Sequence, residues 1–252
     1  MLSLKNKNII LAGASSGIGL ELAKLLAKEN SNLALLSRRK EVMDEQAKDF
    51  ENLSGKIISI KCDVRKKQEV SSAVKEAKEF FGAVDMLIYN SGVSIPQSLK
   101  KFDSSSAEET FKTNVTGFFY FCEELIPVMI ANQKGIIAGV SSLADGRGFP
   151  GSGTYCASKA AMTIFLESLR SGLKKYGIKV ITIKPGFVKT PMTDKNNFKM
   201  PFIMPVEKAA EIILNGIKKE KRIIQFPLRT AIGSKLLRII PNSIFEMMAK
   251  SY

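Results

Sequence analysis

Short apolar runs alternate along the chain with longer stretches in which apolar residues recur every three or four positions. The short runs are rich in Val, Ile and Leu and are almost continuously apolar, which is typical of strands that are buried on both faces. Their positions predict seven strands, over residues 8–12, 32–36, 56–61, 84–89, 135–141, 179–184 and 222–226. The longer stretches predict helices near residues 17–29, 39–52, 66–81, 104–132, 153–175 and 205–220.

Repeated strand–helix units of this length predict an α/β fold. The expected architecture is a doubly wound, Rossmann-type parallel sheet with helices on both faces. A chain of 252 residues is long enough for one such domain, which would bury about three-quarters of its unfolded surface. No linker, repeat or low-complexity segment interrupts the pattern. We therefore predict a single domain over residues 1–226 and an extension over residues 227–252.

The amino-acid composition excludes several catalytic mechanisms. The chain has no His, which excludes a Ser-His-Asp relay, a His-activated Cys and a His-ligated metal, and we expect no metal site. Proton transfer near neutral pH must therefore use Tyr, Lys, Cys or a carboxylate. The net charge of +14 favours anionic partners, but it does not choose between a phosphorylated cofactor, a membrane surface and nucleic acid. Since the Lys residues are scattered and no nucleic-acid motif accompanies them, we expect no nucleic-acid partner.

The cysteines and the hydropathy bear on the compartment. Cys62, Cys122 and Cys156 have no CxxC spacing and are expected to be buried small residues in a reducing compartment. No run approaches the roughly 18 to 20 apolar residues of a membrane span. We therefore expect a cytoplasmic protein.

A glycine-rich turn follows the first predicted strand. It comprises Gly13, Ser15, Ser16, Gly17, Ile18 and Gly19, with GxxxGxG spacing. Glycines at such a turn let backbone N–H groups approach a pyrophosphate at the start of the following helix. A purely structural turn has a similar composition, but the position of this one at the opening of a βαβ unit favours dinucleotide binding.

The end of the second predicted strand bears on cofactor choice. An acidic residue about 20 positions beyond the glycines usually holds a free adenosine ribose. Here the stretch contains Arg38 and Arg39, with no carboxylate before Glu41. Arg forms charge-assisted, often bidentate, bonds to phosphate, so the sequence favours NADP(H) over NAD(H). The alternative is that both arginines are solvated residues at a helix start.

Three polar residues form a candidate catalytic group. Tyr155 and Lys159 are four residues apart in a helical pattern, which puts them on one helix face. An unperturbed Tyr, with a pKa of about 10, is a poor base at neutral pH. A nearby lysine cation, and the positive nicotinamide of an oxidised cofactor, should lower that pKa. Ser142 follows a strand, at the edge where ligands of open α/β sheets collect, and can hydrogen-bond the reacting oxygen.

These motifs together resemble the short-chain dehydrogenase/reductase family of about 250 residues. The likeness covers residues 7 to about 226 and rests on motifs in family order: GASSGIG at 13–19, Asp63-Val64, Asn90-Ser91-Gly92, Asn114, Ser141-Ser142, Tyr155-Cys156-Ala157-Ser158-Lys159 and Pro185-Gly186-Phe187-Val188-Lys189-Thr190. Two departures are mild. Ala12 replaces the usual Thr, and Tyr89 begins what is usually NNAG.

The resemblance implies a role for each matching residue. Tyr155 would be the general acid in reduction and the general base in oxidation. Lys159 would bind the nicotinamide ribose and depress the tyrosine pKa, Ser142 would orient the substrate oxygen, and Asn114 would hold a water in a proton relay. The implied cofactor-binding residues are Gly13, Ser15, Ser16, Gly17, Ile18, Gly19, Arg38, Arg39, Asp63, Val64, Asn90, Gly92, Tyr155, Lys159, Pro185, Val188 and Thr190.

The function expected from these residues is that of an NADP(H)-dependent oxidoreductase that interconverts a carbonyl and an alcohol, in a homo-oligomer. The segment after Thr190 would be a substrate lid, and its apolar residues Phe198, Met200, Phe202, Ile203 and Met204 favour a hydrophobic small molecule or pack only among themselves. The alternative function is a dinucleotide-sensing binding protein without turnover, against which the intact Ser142, Tyr155 and Lys159 argue.

The extension has an amphipathic pattern. Between residues 230 and 240 the apolar residues are expected on one helical arc, comprising Ile232, Leu236, Leu237, Ile239 and Ile240. Lys235 and Arg238 are expected opposite, and Pro241 ends the helix. Residues 215–252 contain eight Lys or Arg and two Asp or Glu. The extension could cover the substrate cleft, form a subunit contact or make a peripheral contact with an anionic membrane.

Overall fold

A seven-stranded parallel sheet forms the centre of the protein in a computed structural model, which describes residues 1–53, 55–196 and 200–249. The strands are β1 (Asn8–Ala12), β2 (Asn32–Ser37), β3 (Ile57–Lys61), β4 (Met86–Tyr89), β5 (Gly135–Val140), β6 (Ile178–Pro185) and β7 (Ile223–Phe226). Their order across the sheet is β3-β2-β1-β4-β5-β6-β7. The predicted fold class, a doubly wound parallel sheet, is confirmed.

Helices cover both faces of the sheet. They are α1 (Gly17–Lys28), α2 (Lys40–Ala47), α3 (Lys67–Phe81), α4 (Ser104–Phe111), α5 (Gly117–Ala131), α6 (Gly153–Leu173), α7 (Val206–Lys218), α8 (Leu228–Ile239) and α9 (Asn242–Ala249). Alternate strand residues supply two separate hydrophobic clusters, as the pleat requires. Ile9 of β1 belongs to the cluster that contains α1 and α7, whereas its neighbour Ile10 belongs to the cluster that contains α3, α5 and α6.

Most predicted boundaries lie within two residues of the observed ones, with two exceptions. The predicted helix over residues 39–52 ends at Ala47 and is followed by a short 3-10 turn, Glu51–Leu53. The predicted helix over residues 104–132 is interrupted by a π-helical segment, Lys112–Thr116, between α4 and α5. Such segments are frequent at functional sites, and this one contains Asn114.

Tyr89 supports the π-helical segment. Its ring is fully buried at the end of β4, and its hydroxyl donates a hydrogen bond to the Thr113 carbonyl at 2.5 Å. A side chain at Gly117 would meet this hydroxyl, because a Cβ there would lie 2.5 Å from it. The residue that departs from the family motif therefore packs beneath the segment that carries Asn114.

The helix α8 uses a different face for packing than its sequence suggested. Ala231 is buried, Ser234 Oγ donates to the Leu143 carbonyl at 2.7 Å, and Arg238 reaches Asp145. Arg238, which was expected opposite the apolar arc, thus lies on the face that contacts the domain. Ile232 and Leu236 are exposed instead.

Arg147 links the end of α8 to α9. Its guanidinium donates to the Leu237 carbonyl at 2.8 Å and to Asn242 Oδ1 at 2.7 Å, and it lies 4.9 Å from the centre of the Phe245 ring. The same ring meets Phe149 edge-on at 5.6 Å. The loop after β5 therefore holds both terminal helices. None of the helices in the described part of the chain has the length and apolar character needed to cross a bilayer.

We expect Tyr89→Phe to destabilise the protein by about 1–3 kcal/mol, because the variant leaves the buried Thr113 carbonyl without its donor. Urea unfolding of the variant and of the wild type measures the difference. Tyr176→Phe, a change of the same atoms at a partly exposed position, serves as the control. Equal stability of Tyr89→Phe and wild type would show that the hydroxyl contributes nothing to holding this segment.

Candidate active site

A cleft of about 290 Å³ opens at the carboxyl edge of the sheet. The chain leaves β1 and β4 in opposite directions there, and a crevice at such a point is where open α/β sheets bind ligands. The predicted site residues that line it are Gly13, Ser15, Ser16, Gly17, Ile18, Arg38, Arg39, Val64, Asn90, Gly92, Ser142, Tyr155, Lys159, Pro185, Val188 and Thr190. Gly19, Asp63 and Asn114 are not in this lining.

The glycine turn is constrained by close backbone approaches. Gly13 has a φ of +84°, and a Cβ there would lie 2.7 Å from the Ser91 nitrogen. A Cβ at Gly19 would lie 2.0 Å from the Gly13 carbonyl oxygen, and Asn90 donates to the same oxygen at 2.8 Å. Gly19 therefore does not line the cleft, but its lack of a side chain allows the glycine turn to pack closely against α1.

The start of α1 faces this turn. Ser16 precedes the helix with extended backbone, and its side chain forms no capping hydrogen bond. The first backbone N–H groups of a helix have no partner within it, and the helix dipole favours an anion at this end. Gly17 and Ile18, the first two residues of α1, line the cleft. The arrangement suits a phosphate group.

Two arginines follow β2 at the end of the cleft. Arg38 and Arg39 are both exposed, and Arg39 Nη2 donates to Ser15 Oγ of the glycine turn at 3.3 Å. The described residues that line the cleft include no Asp or Glu. This end of the cleft is consequently cationic.

Asp63 is engaged elsewhere. Arg65 donates to its carboxylate through Nε at 2.9 Å and Nη2 at 2.6 Å, and these hydrogen bonds hold the pKa of Asp63 below its usual value. Its neighbour Val64 lines the cleft. Of the predicted cofactor-binding residues Asp63 and Val64, only Val64 lines the cleft.

Tyr155 and Ser142 meet across the cleft. A hydrogen bond with Ser142 lowers the pKa of Tyr155, but the larger effect of burial raises it above the usual 10.0. This direction is opposite to the lowering expected from Lys159. Ser142 Oγ also accepts a hydrogen bond from the Ala144 nitrogen at 3.1 Å, which orients it at the end of β5. In this state the Tyr155 side chain is a phenol at neutral pH.

Lys159 is buried beneath Tyr155. Its Nζ donates to the Val140 carbonyl at 2.9 Å and lies 5.7 Å from the centre of the Tyr155 ring. Burial lowers the pKa of Lys159 from 10.5 to about 8. A Cβ at Gly92 would lie 3.3 Å from this ammonium, so the glycine leaves room for it. At this distance the lysine does not offset the rise that burial causes in the pKa of Tyr155.

Asn114 lies behind this group. Its Oδ1 accepts from the Val93 nitrogen at 2.8 Å, while its Nδ2 donates to the Val93 carbonyl at 3.0 Å and to Ser158 Oγ at 2.9 Å. A Cβ at Gly92 would lie 3.4 Å from Oδ1. The amide therefore ties the strand-end loop after β4 to α6, next to the lysine.

A buried ionic network beside Ser142 was not predicted. The Asp145 carboxylate is fully buried, with Lys184 Nζ at 2.6 Å, Arg238 Nη2 at 2.5 Å and a hydrogen bond from Thr163 at 2.6 Å. Asp145 ends the 3-10 turn that Ser142 begins. A sequence signal existed, because Lys184 is a charged residue directly after the apolar run of the sixth predicted strand, but its partner could not be identified from spacing.

The cysteines have no catalytic environment. Cys62, Cys122 and Cys156 are free and buried, and burial raises the pKa of each thiol, to about 12 for Cys62 and Cys122. A thiol with a raised pKa is a poor nucleophile. Cys156 is therefore a packing residue, although it follows Tyr155 directly.

The segment after β6 borders the cleft. Pro191, Met192 and Thr193 are in the lining, whereas Phe202 and Ile203 are exposed. Phe198, which was expected in the same apolar group, lies outside the described residues. Pro191 and Met192 are apolar residues of this segment that line the cleft.

Comparison with known proteins identifies the family. The family model described as short chain dehydrogenase matches residues 7–200. An uncharacterized oxidoreductase of Myxococcus xanthus is 31% identical over 99% of both chains. The 3-oxoacyl-[acyl-carrier-protein] reductase FabG of Thermotoga maritima is 30% identical over 85% of this chain and 83% of that protein. Estradiol 17-beta-dehydrogenase 11 of Mus musculus is 28% identical over 98% and 84%.

The fold agrees with this assignment. A short chain dehydrogenase/reductase from Burkholderia phymatum, solved in complex with NAD, covers 94% of both chains with a TM-score of 0.86 and 21% sequence identity. The chain belongs to the short-chain dehydrogenase/reductase family. It is an oxidoreductase of the class that acts on CH–OH and C=O groups.

Replacing Lys159 by Met should stabilise the protein at pH 7 by on the order of 2–3 kcal/mol, because it removes a buried ammonium. The folded-state pKa of about 8 lies below the usual 10.5, so the folded protein loses its proton first as pH rises. Wild-type stability therefore recovers between these two values, and the advantage of the variant fades. Urea unfolding at pH 7 and pH 10 measures both effects.

The control for this prediction is Lys100→Met, which removes an exposed lysine. A loss of stability in Lys159→Met at pH 7 would contradict the argument, because it would mean that the ammonium is well compensated by the Val140 carbonyl.

Proposed function

We propose that this protein is an NADP(H)-dependent oxidoreductase that interconverts a carbonyl and an alcohol on a hydrophobic small molecule. The observation that carries the proposal is that Ser142, Tyr155 and Lys159 line the same cleft as the glycine turn and the arginines. Proton transfer and phosphate recognition are thereby combined in one continuous site.

The residues present fit a dinucleotide. Gly13 and Gly19 leave space that a Cβ would fill, and the uncapped start of α1 offers N–H groups to a pyrophosphate. Arg38 and Arg39 would take a 2′-phosphate, since the cleft lining offers no carboxylate to a free ribose. The Burkholderia phymatum protein is known in complex with NAD, so the choice of NADP(H) rests on the two arginines alone.

The protein's own residues would carry out the proton transfer. Bound cofactor supplies or accepts the hydride. Ser142 would orient the substrate oxygen through Oγ, and the Tyr155 hydroxyl would donate a proton to that oxygen in reduction and accept one in oxidation. Lys159 would hold the nicotinamide ribose, and Asn114 would position a water behind it. The raised pKa of Tyr155 keeps the phenol protonated, which suits reduction.

An apolar substrate is favoured by the lid and by the relatives. Met192 borders the cleft, and Phe202 and Ile203 are exposed next to it. The named relatives are a 3-oxoacyl reductase and an estradiol dehydrogenase, whose names both refer to carbonyl or alcohol groups on largely apolar molecules. NADPH oxidation measured against aldehydes, ketones, quinones and 3-oxoacyl thioesters tests the proposal.

Exposed apolar residues on the flank support self-association. Phe119 and Val128 of α5 and Ile164 of α6 are exposed large side chains. We expect a homo-oligomer in solution, which light scattering would detect. The buried free thiols suit a reducing compartment such as the cytoplasm.

Tyr155→Phe should lower turnover about 100- to 10,000-fold and leave cofactor affinity nearly unchanged, because it removes the proton donor and keeps the ring. Steady-state kinetics and fluorescence titration with NADPH measure the two quantities. Retention of more than a third of the wild-type turnover would contradict the assigned role. A wild-type protein that binds NADPH and turns over no member of the panel would favour a sensing function.

Arg38→Ala and Arg39→Ala should each weaken NADPH binding more than NADH binding, by about 10- to 150-fold for the residue that contacts the 2′-phosphate. Lys40→Ala is the matched control, since Lys40 is the next cation along the chain and pairs with Asp44 at 2.6 Å. Titration with both cofactors checks the prediction. Equal losses for NADPH and NADH, or a wild-type preference for NADH, would refute it.

A further inference from the structure

A stripe of exposed apolar residues runs along the outer face of α8. We call it the tail face; it consists of Leu228, Ile232, Leu236 and Ile239, which are 69%, 50%, 55% and 77% exposed. Their spacing of four, four and three residues places them on one side of the helix. A contiguous apolar surface of this kind marks an interaction site more often than scattered apolar residues do.

The tail face is held outward by the packing of the opposite side. Ala231, Ser234 and Arg238 contact the domain, and the Arg238 guanidinium pairs with the buried Asp145 carboxylate. Turning the apolar stripe inward would break this ion pair and leave the buried Asp145 carboxylate paired with Lys184 but without its second cation, which is costly. The orientation of the helix is therefore fixed by its polar anchors.

Exposed apolar residues also occur on α9 and on the segment that precedes α7. On α9, Ile244 and Met247 are exposed. Towards the cleft, the Arg229 guanidinium lies 5.7 Å from the centre of the Phe202 ring, and Phe202 and Ile203 of the lid are exposed. The tail face and the lid thus form one surface beside the cleft.

Cations border the stripe. With 100° per residue, Arg229 lies on one side of the stripe and Lys235 on the other. Neither forms an ion pair with any residue that the structure describes. An apolar stripe flanked by Lys and Arg is typical of helices that lie in the interface of an anionic bilayer.

The net charge of the chain favours an anionic bilayer over a second copy of the chain as the partner of the tail face. The net charge is +14, and residues 215–252 contain eight Lys or Arg and two Asp or Glu. A second copy would bring the same cations to the contact, where like charges oppose association. An anionic bilayer attracts them. We propose that the tail face and the adjoining Phe202 and Ile203 dock on an anionic lipid bilayer, with Arg229 and Lys235 at the headgroups.

The test is co-sedimentation of the full-length protein with vesicles. One set contains equal amounts of phosphatidylglycerol and phosphatidylcholine, and the other contains phosphatidylcholine alone. At low salt the protein should sediment with the anionic vesicles at least about tenfold more strongly than with the zwitterionic ones, and salt near about 0.5 M should release most of it.

Two variants locate the contact. The triple change Ile232→Gln, Leu236→Gln and Ile239→Gln should reduce partitioning about tenfold or more, because it removes most of the stripe. The pair Arg229→Gln and Lys235→Gln should reduce binding to anionic vesicles by a similar factor. The control triple replaces exposed apolar residues elsewhere and should bind like wild type; it consists of Val42→Gln, Leu53→Gln and Phe80→Gln.

Several results would overturn the proposal. They are absence of binding to anionic vesicles at low salt, equal binding to both vesicle types, and equal losses in the control triple and the tail-face triple. A fall in oligomer size on light scattering in the tail-face triple, with vesicle binding unchanged, would instead assign the surface to contact between copies of the chain. Circular dichroism shows whether each variant is folded. If the tail-face triple is not folded, the double variant Arg229→Gln and Lys235→Gln still tests the proposal.

Discussion

The buried carboxylate of Asp145 joins the parts of the molecule that the site needs. It forms ion pairs with Lys184 of β6 and Arg238 of α8, and it accepts a hydrogen bond from Thr163 of α6. A buried charge must be paired and hydrogen-bonded, because its desolvation otherwise costs several kcal/mol. Satisfying this one group brings a strand end, two helices and the turn after Ser142 into a single arrangement. The position of Ser142 in the cleft therefore depends on a residue that does not line the cleft.

The same requirement explains the surroundings of Lys159 and Asn114. The lysine is buried with one carbonyl partner, so burial favours its neutral form, and Gly92 is small because the ammonium lies against it. The Asn114 amide is held by three hydrogen bonds on a segment that Tyr89 supports from below. Stability is given up at the lysine, where a charge is held in an apolar place, which is common where a side chain serves chemistry.

The terminal helices show how polar contacts can decide the orientation of an apolar element. In α8 the serine and arginine anchors face the domain, and the apolar stripe faces outward beside the lid. The hydrophobic effect alone would favour the reverse, since burying the stripe removes apolar surface from water. The polar orientation prevails because releasing Arg238 would remove one of the two cations that pair with the buried Asp145 carboxylate and leave that charge less well compensated. The outer face of α8 thus presents an apolar stripe flanked by Arg229 and Lys235.

The sequence by itself determined the sheet, the order of its elements and the residues that gather at its carboxyl edge. Period and run length reflect local geometry and burial, and the motifs carry fixed spacings, so strands, glycine turn and the Ser142, Tyr155 and Lys159 group were predictable. Only the tertiary structure decided which contacts are made. It paired Asp63 with Arg65, joined Asp145 to Arg238 across 93 residues and turned the stripe of α8 outward. It also raised the pKa of Tyr155 where proximity of a lysine suggested lowering. These outcomes depend on desolvation and on partners distant in the chain, and neither is encoded in local spacing.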